Sequence, residues 1–214
     1  CYIMNKKNES LKKFRFPSET LPFSVVANNE DSMCLELCLG SPKYCRLLTI
    51  HGQSFYIWVK DLKHKDESIE MSKKYDPNKS KTAKINRTLF EIQYEEGQKV
   101  SVYRISDNIY LKNGDLLMRG DFLSSIESKD FVGDEGIIGL GYRGSKIEEK
   151  NSFINQWYKN GYIFHRVFAQ SFTDSAQGMI TFGEIPKNIV NDYKRYGRCP
   201  ALNKLINGKN VTNR

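Results

Sequence analysis

Short apolar segments, separated from one another by turn residues, run through most of this sequence and limit what it can fold into. They lie between Leu21 and Phe182, and Gly, Pro, Asn and Asp punctuate them. Such a succession is typical of β-strands. The chain of 214 residues also holds twelve Tyr and twelve Phe, whose rings suit the half-buried surface of a sheet. The sequence therefore predicts an all-β fold.

One helix and a long polar excursion interrupt the predicted strands. At residues 152–159 the apolar side chains recur with helical spacing, and Gly161 follows as a stop signal. Residues 60–84 are polar, with a turn signal at residues 76–78. The helix is expected to turn one apolar side to the core, formed by Phe153, Ile154, Trp157 and Tyr158. The predicted strands are residues 23–26, 34–39, 44–50, 55–59, 89–94, 99–105, 109–111, 116–118, 136–141, 167–172 and 179–182.

The net charge of +8 limits the kinds of partner that the protein could bind but identifies none of them. Basic and acidic residues are interspersed, so a solvated basic surface and a patch for an acidic partner are both compatible with the composition. The sequence contains no glycine-rich phosphate loop, zinc-finger spacing or nucleic-acid-binding module. Because no apolar run reaches 18 residues, no membrane span is expected. We expect no nucleic-acid partner, no metal and no cofactor.

Three of the five cysteines lie close together in one predicted hairpin. A turn at residues 40–43 would place Cys38 opposite Cys45, so a cross-strand disulfide is one alternative. A bond from Cys34 to a more distant cysteine is another, and a thiol metal site is disfavoured. Because the count is odd, one thiol stays free or pairs outside this chain. The disulfide candidates are Cys1, Cys34, Cys38, Cys45 and Cys199.

Four Asn-x-Ser/Thr sequons occur in the sequence. Some such matches arise by chance, because Asn, Ser and Thr are common residues. Together with the cysteines, however, four sequons favour a protein that is secreted or resides in the lumen of the secretory pathway. The candidate glycosylation sites are Asn8, Asn78, Asn86 and Asn210.

The stretch from Ile50 to Val59 carries the most informative motif of the chain. It reads Ile-His-Gly-Gln-Ser-Phe-Tyr-Ile-Trp-Val. This order resembles the active-site strand of pepsin-like aspartic proteases, in which an apolar residue is followed by Asp-Thr-Gly-Ser and then by a run ending in Leu-Trp-Val. Ser54, Trp58 and Val59 match that pattern, and His51 occupies the position of the catalytic aspartate.

Further segments continue the resemblance in the order that the family has. Residues 35–42 are similar to its first strand and Gly-Thr-Pro turn, residues 74–82 to its Tyr/Phe-x-Pro-x-x-Ser-x-Thr segment, and residues 136–142 to its buried Gly-Ile-Leu-Gly-Leu-Gly strand. Residues 90–94 resemble the strand that enters the flap, and residues 167–183 the strands that close the N-terminal lobe. No single motif is decisive, so the resemblance depends on their order and spacing.

The resemblance implies one lobe of a two-lobed fold. We expect a pepsin-like N-terminal lobe at residues 21–186, a double-psi-type β-barrel or sandwich with one or two short helices. Residues 1–20 are expected to form a basic N-terminal arm or the remnant of a pro-segment. Residues 187–214 are expected to be a linker or the start of a second lobe that this chain lacks, since a second Asp-Thr-Gly or Asp-Ser-Gly does not occur.

The substitutions at and after His51 change the chemistry that the family carries out. Aspartic proteolysis uses two carboxylates that share one proton, and an imidazole cannot replace one of them symmetrically. The bracing Thr of the family is Gly52 here, and the small Gly that admits substrate is Gln53. Either His51 is a relic in a degenerate loop, or it works with an Asp from a second lobe. The other histidines, His64 and His165, are interpreted as structural because no Cys or acid lies at ligand spacing.

The predicted flap departs from the family at its tip. Tyr94 stands at the flap tyrosine, which the family pairs with the residue at Trp58; alternatively, both rings are simply part of an aromatic core. Glu95, Glu96 and Gly97 follow where the family usually has Gly-Thr/Ser-Gly. Two carboxylates at this tip would attract a basic partner or merely keep the flap hydrated.

Three functions are compatible with this sequence. In the first, which we favour, the protein is a secreted, catalytically inactive homologue of aspartic proteases, a pseudoprotease, whose cleft or surface binds a protein or an extended peptide. In the second it is an acid endopeptidase that combines His51 with an Asp from a second lobe. In the third it is a structural subunit that pairs with another protein chain. The fold alone does not distinguish them.

Overall fold

Strands dominate the computed structural model of the chain. It describes residues 19–26, 32–52, 54–65, 70–94, 97–111, 114–129, 135–141, 152–172, 177–184, 202–206 and 209–213. These ranges contain twelve strands, an α-helix and a short 3-10 helix. The strands are β1 (Glu19–Val26), β2 (Ser32–Leu39), β3 (Tyr44–His51), β4 (Ile57–Lys60), β5 (Lys84–Gln93), β6 (Lys99–Leu111), β7 (Leu116–Lys129), β8 (Gly136–Gly139), β9 (Phe168–Phe172), β10 (Gln177–Phe182), β11 (Leu202–Ile206) and β12 (Lys209–Asn213). Helix α1 is Phe153–Lys159, and the 3-10 helix is Met71–Lys73.

Ten of these strands form one sheet that closes on itself. The order is β5-β6-β7-β4-β8-β3-β2-β1-β10-β9, and an additional antiparallel pairing joins β2 to β6. Because β2 also pairs with β3, six strands form a closed ring: β6, β7, β4, β8, β3 and β2. Strands β11 and β12 pair in a separate hairpin that the sequence analysis did not anticipate. The predicted all-β fold is confirmed as a closed β-barrel.

The long antiparallel pair of β6 and β7 forms one wall of the barrel. Side chains of β6 alternate between buried and partly exposed, as the pleat of a strand requires. The alternation is interrupted at the consecutive buried residues Val102 and Tyr103, next to a register shift between Ser101 and Val102. The sequence predicts a strand only at residues 116–118, yet β7 continues to Lys129. The prediction was too short because β7 buries two polar residues, Ser124 and Ser125, which interrupt the apolar pattern of a strand.

Helix α1 packs against the barrel through an aromatic cluster. Phe153 and Trp157 are fully buried, and the Trp157 ring lies 4.8 Å from the ring of Phe182 in β10. The predicted apolar side of the helix is wrong at Tyr158, which is 43% exposed because it lies at the outer edge of that face. No helix in the described ranges is long and apolar enough to cross a membrane.

Capping residues set both ends of helix α1. The Ser152 hydroxyl accepts a hydrogen bond from the Asn155 N–H at 3.3 Å, which satisfies a donor of the first turn. Gly161 adopts a φ of +74°, a left-handed conformation that terminates helices and favours glycine. The predicted stop at Gly161 is therefore confirmed.

The hairpin of β2 and β3 carries the disulfide. Cys38 and Cys45 are direct partners in the antiparallel register, and they are bonded to each other. The predicted turn lies between them and begins at Gly40, whose φ is +74°. Cys34 is buried on the same strand, with its Sγ 3.8 Å from the Thr49 hydroxyl. The cross-strand alternative for Cys38 and Cys45 is thus confirmed, and the remaining candidates, Cys1 and Cys199, lie outside the described residues.

Candidate functional site

The candidate functional site is a loop that connects two strands, and a third strand lies between these two. Strand β3 ends at His51, and β4 begins at Ile57. Strand β8 lies between them, parallel to β3 and antiparallel to β4, although it is distant in the sequence. The loop of residues 52–56 therefore passes over the end of an inserted strand, and its shape depends on that strand.

Backbone hydrogen bonds fasten the loop to the end of β8. The N–H groups of residues 139–141 donate to the carbonyls of Tyr56, His51 and Ser54, in that order, at 3.0, 3.0 and 2.7 Å. A Cβ atom on Gly139 would lie 2.4 Å from the Ser54 carbonyl oxygen, closer than real Cβ atoms approach. Glycine is therefore required where the loop crosses the strand, as the glycine-rich segment predicts.

His51 stands at the start of this loop. Its imidazole is half-buried, and its ring centroid lies 5.8 Å from that of Tyr94 in an edge-to-face arrangement. Gly52 comes next and is exposed, and among the residues that the structure describes, its chain neighbours aside, none has an atom within 4 Å of the place where a Cβ would lie. The structure thus brings His51 and Tyr94 together and leaves open space at Gly52.

Tyr94 links the loop to the interior through hydrogen bonds. The indole N–H of Trp58 donates to the Tyr94 hydroxyl at 3.1 Å, and the hydroxyls of Tyr94 and Ser54 are 3.2 Å apart. Because an indole nitrogen only donates, the Tyr94 oxygen accepts from Trp58. The Ser54 hydroxyl then donates to the carbonyl of Tyr56 at 3.4 Å. These contacts form the latch network, which we define as Trp58, Tyr94 and Ser54.

The latch network rests on a small apolar cluster. Trp58 is fully buried with four aliphatic residues, and Tyr94 packs against them: Val100, Val102, Leu123 and Ile137. Burial raises the pKa of Tyr94, while its hydrogen bonds with Ser54 and Trp58 act in the opposite direction. The hydroxyl of Tyr94 therefore stays protonated at neutral pH. Trp58 is both a core residue and the donor to Tyr94, so the two interpretations of these rings are compatible.

A tight turn follows Tyr94 at the end of the β5–β6 hairpin. Two backbone hydrogen bonds, of 2.9 and 3.2 Å, close the turn of residues 94–98. Gly97 adopts a φ of +81°, which suits glycine. The predicted tip residues Glu95 and Glu96 lie outside the described residues, as does Gln53 in the loop after His51. Their roles remain predictions.

Asp61 is a buried aspartate that the sequence analysis did not single out. It follows β4, and its carboxylate accepts hydrogen bonds from the hydroxyls of Tyr103 and Ser124, the latter at 2.8 Å, and from the Lys63 N–H at 2.8 Å. Burial raises the pKa of Tyr103, and the neighbouring Asp61 raises it further. These bonds join β4 to β6 and β7, so we assign Asp61 a structural role.

Asp107 plays a similar part further along β6. It is fully buried on β6 and accepts hydrogen bonds from the hydroxyls of Tyr75, at 2.6 Å, and Thr82. Burial raises the pKa of Tyr75, and the Asp107 carboxylate adds to the shift. The sequence did indicate that Asp107 is buried, because strand alternation places it on the same face as the apolar residues Ile105 and Ile109.

The histidines outside the loop have protein partners of their own. His64 is buried, with Nε2 3.3 Å from the Ser128 hydroxyl, and its carbonyl accepts a hydrogen bond from the Lys74 ammonium at 3.0 Å. His165 is exposed beside the ring of Phe164. Within the described ranges no group of three or more His, Cys, Asp or Glu side chains could hold a metal ion.

Two of the predicted glycosylation sites are exposed on the surface. The Asn78 side chain contacts Asp76 and accepts a hydrogen bond from Arg87 at 2.8 Å. The Asn86 side-chain oxygen accepts from the Thr88 N–H at 3.1 Å. Of the other sequons, Asn210 belongs to β12, whose side chains are not described, and Asn8 lies outside the described residues. Glycosylation remains a prediction.

The fold and this loop together define a class of protein. A closed β-barrel, a loop over an inserted strand and a hairpin tyrosine bonded to a buried tryptophan are the features expected of an aspartic-protease lobe. A sequence model of the eukaryotic aspartyl protease family matches residues 34–195, more than half of the chain, and the chain belongs to this family. A search of curated protein sequences gave no match. The resemblance is therefore confirmed at the level of the family.

Proposed function

We propose that this protein is a catalytically inactive member of the eukaryotic aspartyl protease family that binds an extended peptide segment. The observation that carries the proposal is the position of His51. His51 ends β3 directly before the loop of residues 52–56, and sequence order aligns it with the aspartate of the family. The imidazole lies beside Tyr94, where a reacting group of the family would be covered by the flap.

The chemistry of an imidazole argues against proteolysis. A carboxylate offers two acceptor oxygens and shares a proton with a second carboxylate, whereas a neutral imidazole offers one acceptor nitrogen and a cationic imidazole offers none. Gly52 has no hydroxyl with which to brace the loop against a partner loop, although the open space around it would accommodate one. The acid and its brace are both replaced, which supports an inactive site.

The architecture around the loop supports peptide binding. The latch network holds Tyr94 over the loop, so the hairpin of β5 and β6 keeps the position of a flap. An extended peptide beneath such a hairpin gains main-chain hydrogen bonds, and side-chain pockets select its sequence. We propose that a second lobe or another protein chain completes this cleft.

We also propose that the protein works in the secretory pathway or outside the cell. The Cys38–Cys45 disulfide supports this location, because such bonds persist in oxidising compartments. The exposure of Asn78 and Asn86 is compatible with glycosylation there.

Two measurements on the same preparations test the proposal. Hydrolysis of a randomised peptide library is followed by mass spectrometry from pH 3 to 7, for the wild type and His51→Ala. Binding of an uncleaved, extended-peptide library is measured for the wild type and Tyr94→Phe. We expect no hydrolysis that depends on His51, and peptide binding that is weaker in Tyr94→Phe.

The outcomes separate the three candidate functions. Hydrolysis that disappears in His51→Ala would establish the endopeptidase and refute the inactive enzyme. If no peptide binds and a second polypeptide co-purifies in a fixed ratio, the chain is a structural subunit. Stability of Tyr94→Phe is measured alongside, so that a loss of binding is not mistaken for unfolding.

A further inference from the structure

A row of exposed positive side chains lies along one edge of the ten-stranded sheet. Strand β5 is the last strand in the order of that sheet, and β6 is its only neighbour among the strands that the structure describes. Residues 77–90, which lead into β5 and include its first half, contain four cations and neither Asp nor Glu. We call residues 79–87 the basic edge. Its cations, all of them exposed, are Lys79, Lys81, Lys84 and Arg87.

Neighbouring acids leave most of this positive charge in place. Among the described residues, the ammonium groups of Lys81 and Lys84 have no hydrogen-bond or ion-pair partner. Lys79 is 79% exposed, and its ammonium lies 4.0 Å from the Asp76 carboxylate, a weak ion pair. Arg87 donates at 2.8 Å to the side-chain oxygen of Asn78, which carries no charge. The basic edge therefore presents a net positive charge to solvent.

Charges on the adjoining strands do not reverse this balance. Glu91, the first acid after the basic edge, is bonded to the Lys99 ammonium at 3.1 Å. Strand β6 contributes one cation, Arg104, and β7 one acid, Asp121, which lies two strands away from Lys84 in the sheet register. The charges of Arg104 and Asp121 offset each other, so the net positive charge comes from the basic edge itself.

Hydrogen bonds hold the backbone of the basic edge in place. The Lys81 N–H donates to the carbonyl of Ser41 at 2.7 Å, and the Ser80 hydroxyl accepts from the Ser41 N–H at 2.9 Å. From Lys84 onward the chain pairs with β6. In extended backbone, cations that are two or three residues apart are separated by about 7–10 Å. The cations thus form a preorganised row.

We propose that the basic edge binds a sulfated polysaccharide. A linear polyanion carries charges at intervals along its length, so it matches a row of cations on an extended segment and needs no enclosed pocket. An acidic protein would be expected to use exposed apolar anchors as well, but the apolar side chains within the basic edge, Ala83 and Ile85, pack against the core. The choice of a polysaccharide over a nucleic acid rests on the proposed location in the secretory pathway or outside the cell.

This site is separate from the proposed peptide cleft. Lys84 and Tyr94 are ten residues apart in the sequence, and almost all of that stretch is strand β5. At the rise of an extended strand, the two residues are about 30 Å apart. The polysaccharide site and the peptide cleft can therefore be tested independently of each other.

Two predicted glycosylation sites, Asn78 and Asn86, lie beside these cations. An N-linked glycan on either asparagine would cover part of the basic edge, so glycosylation there and polysaccharide binding exclude each other. The proposal requires both sites to be unmodified in the protein as its own cells produce it. Peptide mapping by mass spectrometry measures their occupancy, and a glycan on most copies at either site would overturn the proposal.

Calorimetric titration of the whole, unglycosylated chain tests the binding. The probes are a sulfated heparin octasaccharide, its desulfated counterpart and octa-glutamate, each at low and at physiological salt. Lys81→Gln combined with Lys84→Gln is expected to weaken binding of the sulfated octasaccharide about tenfold, the effect of losing two ionic contacts at the surface. Lys65→Gln combined with Lys159→Gln is the matched control, because both lysines are exposed outside the basic edge and the same two charges are removed.

The results decide the proposal in either direction. Binding of the sulfated octasaccharide that falls with salt and in the Lys81 and Lys84 variant, but not in the control, supports it. Equal losses in the two variants would overturn it, because they would indicate attraction to the net charge of +8 alone. It is also overturned if the sulfated probe does not bind, if the desulfated probe binds equally well, or if octa-glutamate binds as tightly through the same lysines, which would assign the basic edge to an acidic protein. Thermal unfolding of each variant checks that it is folded, and Lys84→Gln alone decides if the combined variant is not.

Discussion

Removing one hydroxyl group should show how far the latch network stabilises the protein. In Tyr94→Phe the ring keeps its place against the apolar cluster, and the hydroxyl that accepts from Trp58 and bonds Ser54 disappears. The substitution therefore tests hydrogen bonding without opening a large cavity.

The expected loss follows from the burial of the two partners. Trp58 is fully buried, so its indole N–H loses an acceptor in a place where water does not reach. Such a loss costs about 1–3 kcal/mol. Ser54 keeps the Tyr56 carbonyl as its own acceptor, so its share is small. We expect Tyr94→Phe to lower the free energy of unfolding by about 2 kcal/mol.

Urea denaturation followed by tryptophan fluorescence measures this change, and Trp58 is one of only two tryptophans in the chain. The matched control is Tyr110→Phe. Tyr110 also lies in the β5–β6–β7 wall, but it is partly exposed, and its hydroxyl accepts from the Asn108 side chain at 3.0 Å. We expect the control to lose less than about 0.5 kcal/mol, as at other surface sites. If Tyr94→Phe costs no more than Tyr110→Phe, the latch network does not contribute as argued.

Three further predictions concern the barrel as a whole. Gly139→Ala should lower the free energy of unfolding by about 3 kcal/mol, because its Cβ would meet the Ser54 carbonyl at 2.4 Å. Gly52→Ala should leave the free energy of unfolding unchanged or raise it by up to about 1 kcal/mol. Thermal unfolding measures both changes. Equal effects of the two glycine substitutions would contradict the close crossing of the loop over β8. Replacing Cys38 and Cys45 by Ser should cost about 2.5 kcal/mol for a loop of this length, measured by urea unfolding, and an unchanged midpoint would refute it. Tyrosine ionisation should not affect the free energy of unfolding below about pH 10. Above that pH the free energy of unfolding should fall, because the buried tyrosines keep their protons in the folded state and release them in the unfolded state. Absorbance at 295 nm alongside urea unfolding checks this, and constant stability to pH 12 would argue against the raised pKa values of Tyr44, Tyr75, Tyr94 and Tyr103.

Local patterns were sufficient for the hairpin of β2 and β3. The turn residues and the spacing of the cysteines place Cys38 opposite Cys45, so the sequence offered as one of its alternatives the cross-strand disulfide that the structure contains. The glycines of β8 were equally informative, because Gly139 is required by a close backbone contact.

Predictions failed where polar residues are buried by distant partners. Strand β6 is continuous through Asp107, although the sequence analysis divided it into two strands, because Asp107 is satisfied by hydroxyls from another segment. Ser124 and Ser125 likewise concealed the length of β7, since both are fully buried, and the Asp61 carboxylate that accepts from Ser124 is distant in the sequence. The candidate site combined both situations. The family resemblance indicated the loop after His51 and offered the pairing of Trp58 with Tyr94 as one alternative, while the contact of Ser54 with Tyr94 depends on how the strands pack.

The placement of β8 between β3 and β4 has a consequence for how the protein matures. Residues 52–56 are synthesised long before residues 136–141, yet the N–H groups of residues 139–141 supply the backbone hydrogen bonds to the carbonyls of His51, Ser54 and Tyr56. A nascent chain stalled short of residue 136 would leave facing edges of β3 and β4 without the strand that separates them, and such exposed edges recruit chaperones or aggregate. Assembly of this region is thus a late, non-local event, and an anchored loop after His51 indicates that β8 has been inserted between β3 and β4.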